Sequence, residues 1–331
     1  MKERYVNISL YRIIAVLLVV LFHIFFINSL EKTSSYIYLS KFVQGLSALS
    51  GFLLSQKIVK KVGKFYLSKL MRVAFPALLV LLFILLSNIL YMLIMNNYDF
   101  ASTFIGYRAY NGGLLIQPGN FYYILYIMGC YLITPLLQKK NWISIVIVIL
   151  IVASETVVAI KIDPLYIITS FIIGYYIGVF SFKHYINKDY TLSDIPRSII
   201  IGLIFVVSLF FSIYLSNNHI SLKMPHIYLN IAYSLFGISS LFLFLILTKW
   251  INYKREFKFF KFTDSISYYI FLFNQTFLVG ATNLTVFTQN FGINILIIFA
   301  SSIAASILLY YFEKLTFGKI KEKILKRIND E

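Results

Sequence analysis

The chain has 331 residues, of which 60% are hydrophobic and only 13% are charged, and its formal net charge is +17. A soluble domain usually has about 25% charged residues, so this composition excludes a soluble enzyme and a soluble nucleic-acid-binding protein. Apolar runs of about 20 residues recur along the whole chain and predict an all-α, polytopic membrane protein, with one transmembrane domain over residues 1–331.

The apolar runs predict about ten transmembrane helices. Their approximate limits are 8–30, 38–56, 73–96, 121–138, 142–160, 164–182, 198–216, 227–248, 265–286 and 293–312. Most of the 30 Lys and Arg residues fall in alternate turns between these spans. Basic turns are typical of the cytoplasmic side, so the pattern predicts that both termini are cytoplasmic and that the charge contacts membrane lipid rather than nucleic acid.

The first span contains Arg12 and His23, which are the only residues in it that can carry charge. Eleven helical steps of about 100° separate them, so both side chains share one helix face, about 16 Å apart along the axis. Ionisable groups at membrane depth usually face a protein interior or a water-filled cavity. The pair therefore suggests a reaction chamber. The alternatives are a histidine that bonds between helices and an arginine that reaches lipid phosphate.

The second span, 38–56, is short and contains polar and small residues, including Ser47 and Gly51. We expect it to pack inside the bundle, with small residues at helix contacts. The turn that follows carries six basic residues and no acidic one, and it ends with Lys69 and Arg72. This cluster indicates either a role in topology and anionic-lipid contact or a docking site for a polyanionic cytoplasmic cofactor, such as the phosphates of coenzyme A. Pro76 is expected to kink the third span.

Glu155 is the only carboxylate well inside a predicted span, and helical rise places it at about the same depth as His23. A direct or water-mediated Glu155–His23 contact is one reading, and a carboxylate near the outer interface is the other.

Asn274, in the ninth span, is expected to hydrogen-bond between helices. The long outer segment, 97–120, is rich in aromatic residues, Asn and Gly, which suits either contacts to sugars or an ordinary surface loop. The single cysteine, Cys130, excludes a cysteine-based zinc site, and no metal is expected.

Four features together resemble the membrane acyltransferase family 3, whose members O-acylate bacterial surface glycans. They are the Arg12/His23 spacing, the Ser50-Gly51-Phe52-Leu53-Leu54-Ser55 segment, Lys69-Leu-Met-Arg72 before Pro76, and Ser267-Tyr-Tyr-Ile-Phe-Leu-Phe-Asn274. The third is similar to the family's Arg-x-x-Arg element and the fourth to its Ser-Tyr-x-Ile-Tyr-Leu-x-His element. The resemblance covers essentially the whole chain.

The resemblance implies that His23 is catalytic, that Arg12 supports the site, and that Lys69 and Arg72 help hold a cytoplasmic acyl-CoA. From the residues themselves, the Arg12 guanidinium is a candidate for binding the phosphates of the donor, and Glu155 is a second catalytic candidate from the depth argument. It implies acetyl-CoA as the donor, a polysaccharide hydroxyl as the acceptor, and the bacterial cytoplasmic membrane as the location. Within the family, the resemblance suggests the intercellular-adhesion subgroup. Two positions depart from the family pattern, since Lys69 replaces an Arg and Asn274 replaces a His, which removes a second titratable group.

Two further readings stay open from the sequence. The chain could export or flip a lipid-linked glycan through the same basic inner mouth without acyl chemistry. It could also be a non-catalytic partner of a glycan synthase or export complex.

Overall fold

The computed structural model describes the greater part of the chain. The described residues are 5–28, 37–94, 121–139, 141–161, 166–187, 189–218, 226–253, 258–274, 276–278, 284 and 290–330. Within these ranges all regular structure is helical and there is no strand, which confirms the all-α prediction for them. The outer segment 97–120, which the sequence suggested for sugar contacts, lies outside the described residues.

The α-helices are numbered here in chain order. They are α1 (Val6–Asn28), α2 (Ile37–Ser40), α3 (Phe42–Leu54), α4 (Val62–Lys69), α5 (Phe75–Ile94), α6 (Phe121–Gln138), α7 (Trp142–Lys161), α8 (Ile167–Ile186), α9 (Asp194–Asn218), α10 (His226–Leu247), α11 (Lys258–Phe273), α12 (Phe291–Thr316) and α13 (Gly318–Asp330). A π-helical turn over Leu70–Ala74 joins α4 to α5, and a 3-10 turn over Lys249–Tyr253 follows α10.

Six stretches of the described chain are long and apolar enough to cross a membrane. They are Val6–Phe25, Val62–Ile94, Ile167–Ile186, Asp194–Leu215, Ile227–Leu247 and Phe291–Thr316. Two shorter apolar helices, Tyr123–Gln138 and Trp142–Val157, also coincide with predicted spans. The structure thus supports a multi-pass membrane protein, whereas the count of ten spans and the cytoplasmic termini stay predictions.

The ninth helix of the sequence prediction is displaced. It was expected over 265–286, but α11 begins at Lys258 and ends at Phe273. Asn274 follows in a turn, where its amide Nδ2 donates to the Phe271 carbonyl at 3.0 Å and Thr276 N donates to the Phe273 carbonyl at 2.9 Å. A polar side chain that bonds back to the helix competes with continuing the helix, which explains the earlier end.

Contacts divide the chain into two compact units. Unit 1 comprises Met1–Val19, Lys32–Lys60 and Gly129–Ser265, and unit 2 comprises Val20–Glu31, Lys61–Met128 and Ile266–Glu331. One domain over residues 1–331 therefore stays a prediction of the sequence.

Unit 1 is built on close backbone contact between α3 and α8. A Cβ placed on Gly51 would lie 2.0 Å from the Phe171 carbonyl oxygen, and one on Gly174 would lie 2.1 Å from the Ala48 carbonyl oxygen. Only glycine permits such an approach at these two positions. Most of α3 is buried, and it also packs on α10. This confirms that the short second span lies inside the bundle with small residues at its helix contacts.

Aromatic pairs connect helices within unit 2. Phe83 packs edge-on against Phe273 with ring centroids 5.4 Å apart, and Tyr123 packs similarly against Phe271 at 5.2 Å. Such pairs contribute about 0.5–1.5 kcal/mol beyond their buried area. They fix the end of α11 within unit 2, which places the Ser267–Asn274 segment in a packed environment.

Candidate functional site

Arg12 lies on α1 in unit 1 and forms an ion pair that the sequence reading missed. Its Nη1 donates to Oδ1 of Asp264 at 2.5 Å, and Ser9 Oγ donates to Oδ2 of the same carboxylate at 3.4 Å. The Asp264 side chain is 12% exposed, against 33% for Arg12. The carboxylate therefore fixes the direction of the guanidinium, whose remaining N–H donors can face a ligand.

The position of Asp264 in the sequence could have indicated its role. It stands at the head of the apolar run that contains Ser267–Asn274, near the same predicted cytoplasmic level as Arg12. A carboxylate at that level is a natural partner for an arginine that would otherwise lie unpaired at the membrane edge. The separation of 252 residues along the chain hides the pair from any local pattern.

His23 lies on the same continuous helix, α1, but in unit 2. Its side chain is buried, and its Nδ1 has no hydrogen-bond partner among the described residues. Most buried polar atoms in proteins are hydrogen-bonded, so a buried ring nitrogen with no partner among the described residues requires an explanation. A substrate hydroxyl that donates to this nitrogen would satisfy it.

The Lys69–Arg72 element lies where the helix widens. Lys69 ends α4, and Arg72 lies in the π-helical turn Leu70–Ala74, in which Phe75 N bonds to the Leu70 carbonyl. Pro76 explains the turn, because its ring lacks an N–H and clashes with the carbonyl four residues earlier, that of Arg72. The predicted kink at Pro76 thus takes the form of a π-helical turn just before it.

Within this turn the two cations differ in their surroundings. The Arg72 side chain is exposed, while the Lys69 ammonium lies 5.5 Å from the centroid of the Phe65 ring. The wider π-helical turn also increases the angle between side chains three residues apart, so the two point less nearly in one direction than a regular α-helix would allow. Arg72 is the more available of the two for an anionic ligand.

Tyr268 connects two of the sequence motifs inside unit 2. Its hydroxyl donates to the Val73 carbonyl at 2.8 Å, and Val73 belongs to the π-helical turn that carries Arg72. A carbonyl oxygen has two lone pairs, so the Val73 carbonyl can accept this bond from α11 in addition to any bond within its own helix. The Ser267–Asn274 segment therefore helps to hold the Lys69–Arg72 element in place.

Both carboxylate oxygens of Glu155, in α7, accept hydrogen bonds. Its Oε1 accepts from Ile168 N at 3.0 Å, and its Oε2 accepts from Thr169 N at 2.8 Å and Thr169 Oγ1 at 2.6 Å. These donors lie in the first turn of α8, so Glu155 caps that helix and complements its dipole. Glu155 lies in unit 1 and His23 in unit 2, and both the contact between them and the catalytic role of Glu155 stay predictions.

Comparison with known proteins gives one finding. A sequence model described as an acyltransferase domain, that of acyltransferase family 3, matches residues 5–311. No curated protein and no solved structure matches the chain. The family match spans α1 to α12 and includes Arg12, His23, the Lys69–Arg72 element and Asn274. The chain therefore belongs to acyltransferase family 3.

Proposed function

We propose that this membrane acyltransferase moves an acetyl group from cytoplasmic acetyl-CoA to a hydroxyl of a cell-surface or exported polysaccharide. The observation that carries the proposal is His23, a buried imidazole in a membrane-spanning helix whose Nδ1 has no partner among the described residues. A neutral imidazole in that setting is suited to take a proton from a hydroxyl. Family membership supports acyl transfer as the reaction class.

In the proposed reaction, His23 accepts the proton of the acceptor hydroxyl while the oxygen attacks the thioester carbonyl carbon. A new C–O ester bond forms, the C–S bond breaks, and the coenzyme leaves as a thiolate that is then protonated. Positioned base catalysis of this kind typically contributes about 10²–10⁴-fold to the rate. In a second route, His23 itself takes the acyl group and passes it on, and labelled acyl-protein formed without acceptor would reveal that route.

Donor binding is proposed for Arg72 and Lys69 in unit 2 and for Arg12 in unit 1. Arg72 is exposed on a turn that Tyr268 holds, and a guanidinium fork is well suited to phosphate oxygens. Lys69 supplies a second charge without the fork geometry. Asp264 orients the Arg12 guanidinium by accepting from its Nη1. The other N–H groups of Arg12 can then bind the acyl donor or face the reaction chamber.

The experiment measures transfer of radiolabel from acetyl-CoA to surface glycan by membranes that contain wild-type, His23→Ala or His23→Gln protein at matched levels. We expect label that depends on the wild-type protein and is lost in both variants. Gln keeps a polar amide but has no basic nitrogen, so a wild-type rate in His23→Gln would show that His23 only hydrogen-bonds. A deletion strain provides the test of export: glycan that reaches the surface without acetyl groups supports the enzyme, and glycan trapped inside supports an exporter.

A further inference from the structure

A pocket of about 520 Å³ with a mixed polar and apolar lining opens in unit 1, and none of the residues proposed above for catalysis or donor binding lines it. It lies where α8 ends, where α9 begins and beside the 3-10 turn after α10. Its volume is within the range of small-molecule sites, about 300–1,000 Å³. The lining residues are Gln56, Val179, Phe180, Ser181, Phe182, Lys183, His184, Asn187, Asp189, Thr191, Arg197 and Lys249.

A rigid cluster of charges supports this pocket. Lys249 Nζ lies 2.8 Å from Oδ1 of Asp194 and His184 Nε2 lies 2.5 Å from the same oxygen, while Thr191 N donates to Oδ2 at 2.8 Å. The side chains of Lys249 and Asp194 are each only 1% exposed. Both oxygens of Asp194 have partners, so its negative charge is offset. The cluster therefore holds the adjacent wall of the pocket in place.

Two cations at the pocket remain available. Lys183 and Arg197 both line it, both are exposed, and in the part of the chain that the structure describes neither forms an ion pair. Asp189 is the acidic lining residue that opposes them. Two accessible cations with amide and hydroxyl groups around them provide the donors that a phosphate group needs.

The pocket also has an apolar border. Phe180 lines it and is 81% exposed, Val179 lines it and is 47% exposed, and Leu192, next to the lining residue Thr191, is 87% exposed. These residues stand at the ends of α8 and α9, both of which are long and apolar enough to cross the membrane. A membrane protein exposes large apolar side chains at this level where acyl chains cover them.

We propose that this pocket binds the phosphate headgroup of an anionic phospholipid, with the headgroup between Lys183 and Arg197 and the acyl chains against Phe180 and Val179. Basic pockets between membrane helices are suited to such headgroups. A free phosphate compound has the same anionic chemistry, but it would leave the exposed apolar border uncovered. That border is the reason to assign the site to a lipid rather than to the phosphates of the acyl donor.

The test measures thermal stability of the full-length protein in detergent on addition of dioctanoyl-phosphatidylglycerol, dioctanoyl-phosphatidylcholine, inorganic phosphate or coenzyme A. The variants are Lys183→Gln with Arg197→Gln, and a charge-preserving pair, Lys183→Arg with Arg197→Lys. A matched control, Lys258→Gln with Lys261→Gln, makes the same charge change at two exposed lysines that do not line the pocket. Melting without ligand shows whether each variant is folded.

We expect phosphatidylglycerol to stabilise the wild type, the charge-preserving pair and the control. The neutral pair should bind it about thirtyfold more weakly, since each basic residue near an anionic headgroup is worth roughly a fivefold factor. Equal stabilisation by phosphatidylcholine, or an unchanged response in the neutral pair, would overturn the proposal. Stabilisation by inorganic phosphate or coenzyme A that depends on Lys183 and Arg197 would overturn the lipid assignment and give the pocket to a soluble phosphate compound.

Discussion

Two regions of the molecule place their polar and charged groups in opposite surroundings. At the start of α8, the Glu155 carboxylate accepts three hydrogen bonds, and further along α8, Gly174 touches the backbone of α3. In unit 2, by contrast, His23 Nδ1 has no partner among the described residues and Arg72 is exposed on a π-helical turn. The Glu155 contacts hold the fold, whereas His23 and Arg72 are groups that the proposed function assigns to ligands.

The largest expected effect is on catalysis by His23. His23→Ala should lower the acetyl transfer rate per folded molecule by about 10²–10⁴-fold, because the reaction loses its proposed base, and it should also lower thermal stability because a buried side chain is truncated. Rates of label transfer at matched protein levels provide the measurement. If a well-folded His23→Ala protein transfers acetyl groups at the wild-type rate, His23 is not the catalytic base. The proposed difference between the two regions is then wrong.

The next effect is on stability in the α3–α8 contact. Gly174→Ala places a Cβ against the Ala48 backbone and should lower the free energy of unfolding by about 3 kcal/mol or more. Gly129→Ala is the matched control, since a Cβ there meets nothing within 4 Å, and Ala in a helix should stabilise by about 0.5–1 kcal/mol. Thermal melting of both variants tests the contrast, and equal melting temperatures would contradict the close contact.

A smaller loss of stability is expected at Glu155. Glu155→Ala leaves three donors at the start of α8 without their acceptor, which should cost about 2 kcal/mol. The exposed Glu322→Ala is the control and should change stability by less than about 0.5 kcal/mol. Transfer activity per folded molecule distinguishes the two roles of Glu155: if it falls as far as in His23→Ala, the sequence prediction of a catalytic carboxylate is right.

The smallest effect is expected at Tyr268. Tyr268→Phe removes the donor to the Val73 carbonyl and should loosen the turn that carries Arg72. A lost hydrogen bond of about 1 kcal/mol corresponds to a roughly fivefold rise in KM for acetyl-CoA, with kcat nearly unchanged. Tyr228→Phe, at an exposed tyrosine, is the control. A fall in kcat at constant KM would show that Tyr268 acts on the chemical step instead of the donor.

Several features were readable from single residues and their spacing. Apolar runs gave the helical class, and Gly51 with Ser47 correctly placed the short α3 inside its bundle. The end of α11 was not readable, because Asn274 looks like any polar residue inside an apolar run until its bond to the Phe271 carbonyl is seen. Pro76 signalled a distortion, but only the structure shows that it is a π-helical turn and that Tyr268, almost 200 residues away, donates to the Val73 carbonyl in it.

The sequence by itself determined that this protein lies in a membrane, that it is helical, and that Arg12 and His23 share a helix, because hydropathy and helical period are properties of short segments. The tertiary structure alone decided that Asp264 pairs with Arg12, that Glu155 caps α8, and that Asp194 supports a pocket between Lys183 and Arg197. The physical reason is that a buried or membrane-level charge must find a partner somewhere in space, and no local rule states where along the chain that partner lies.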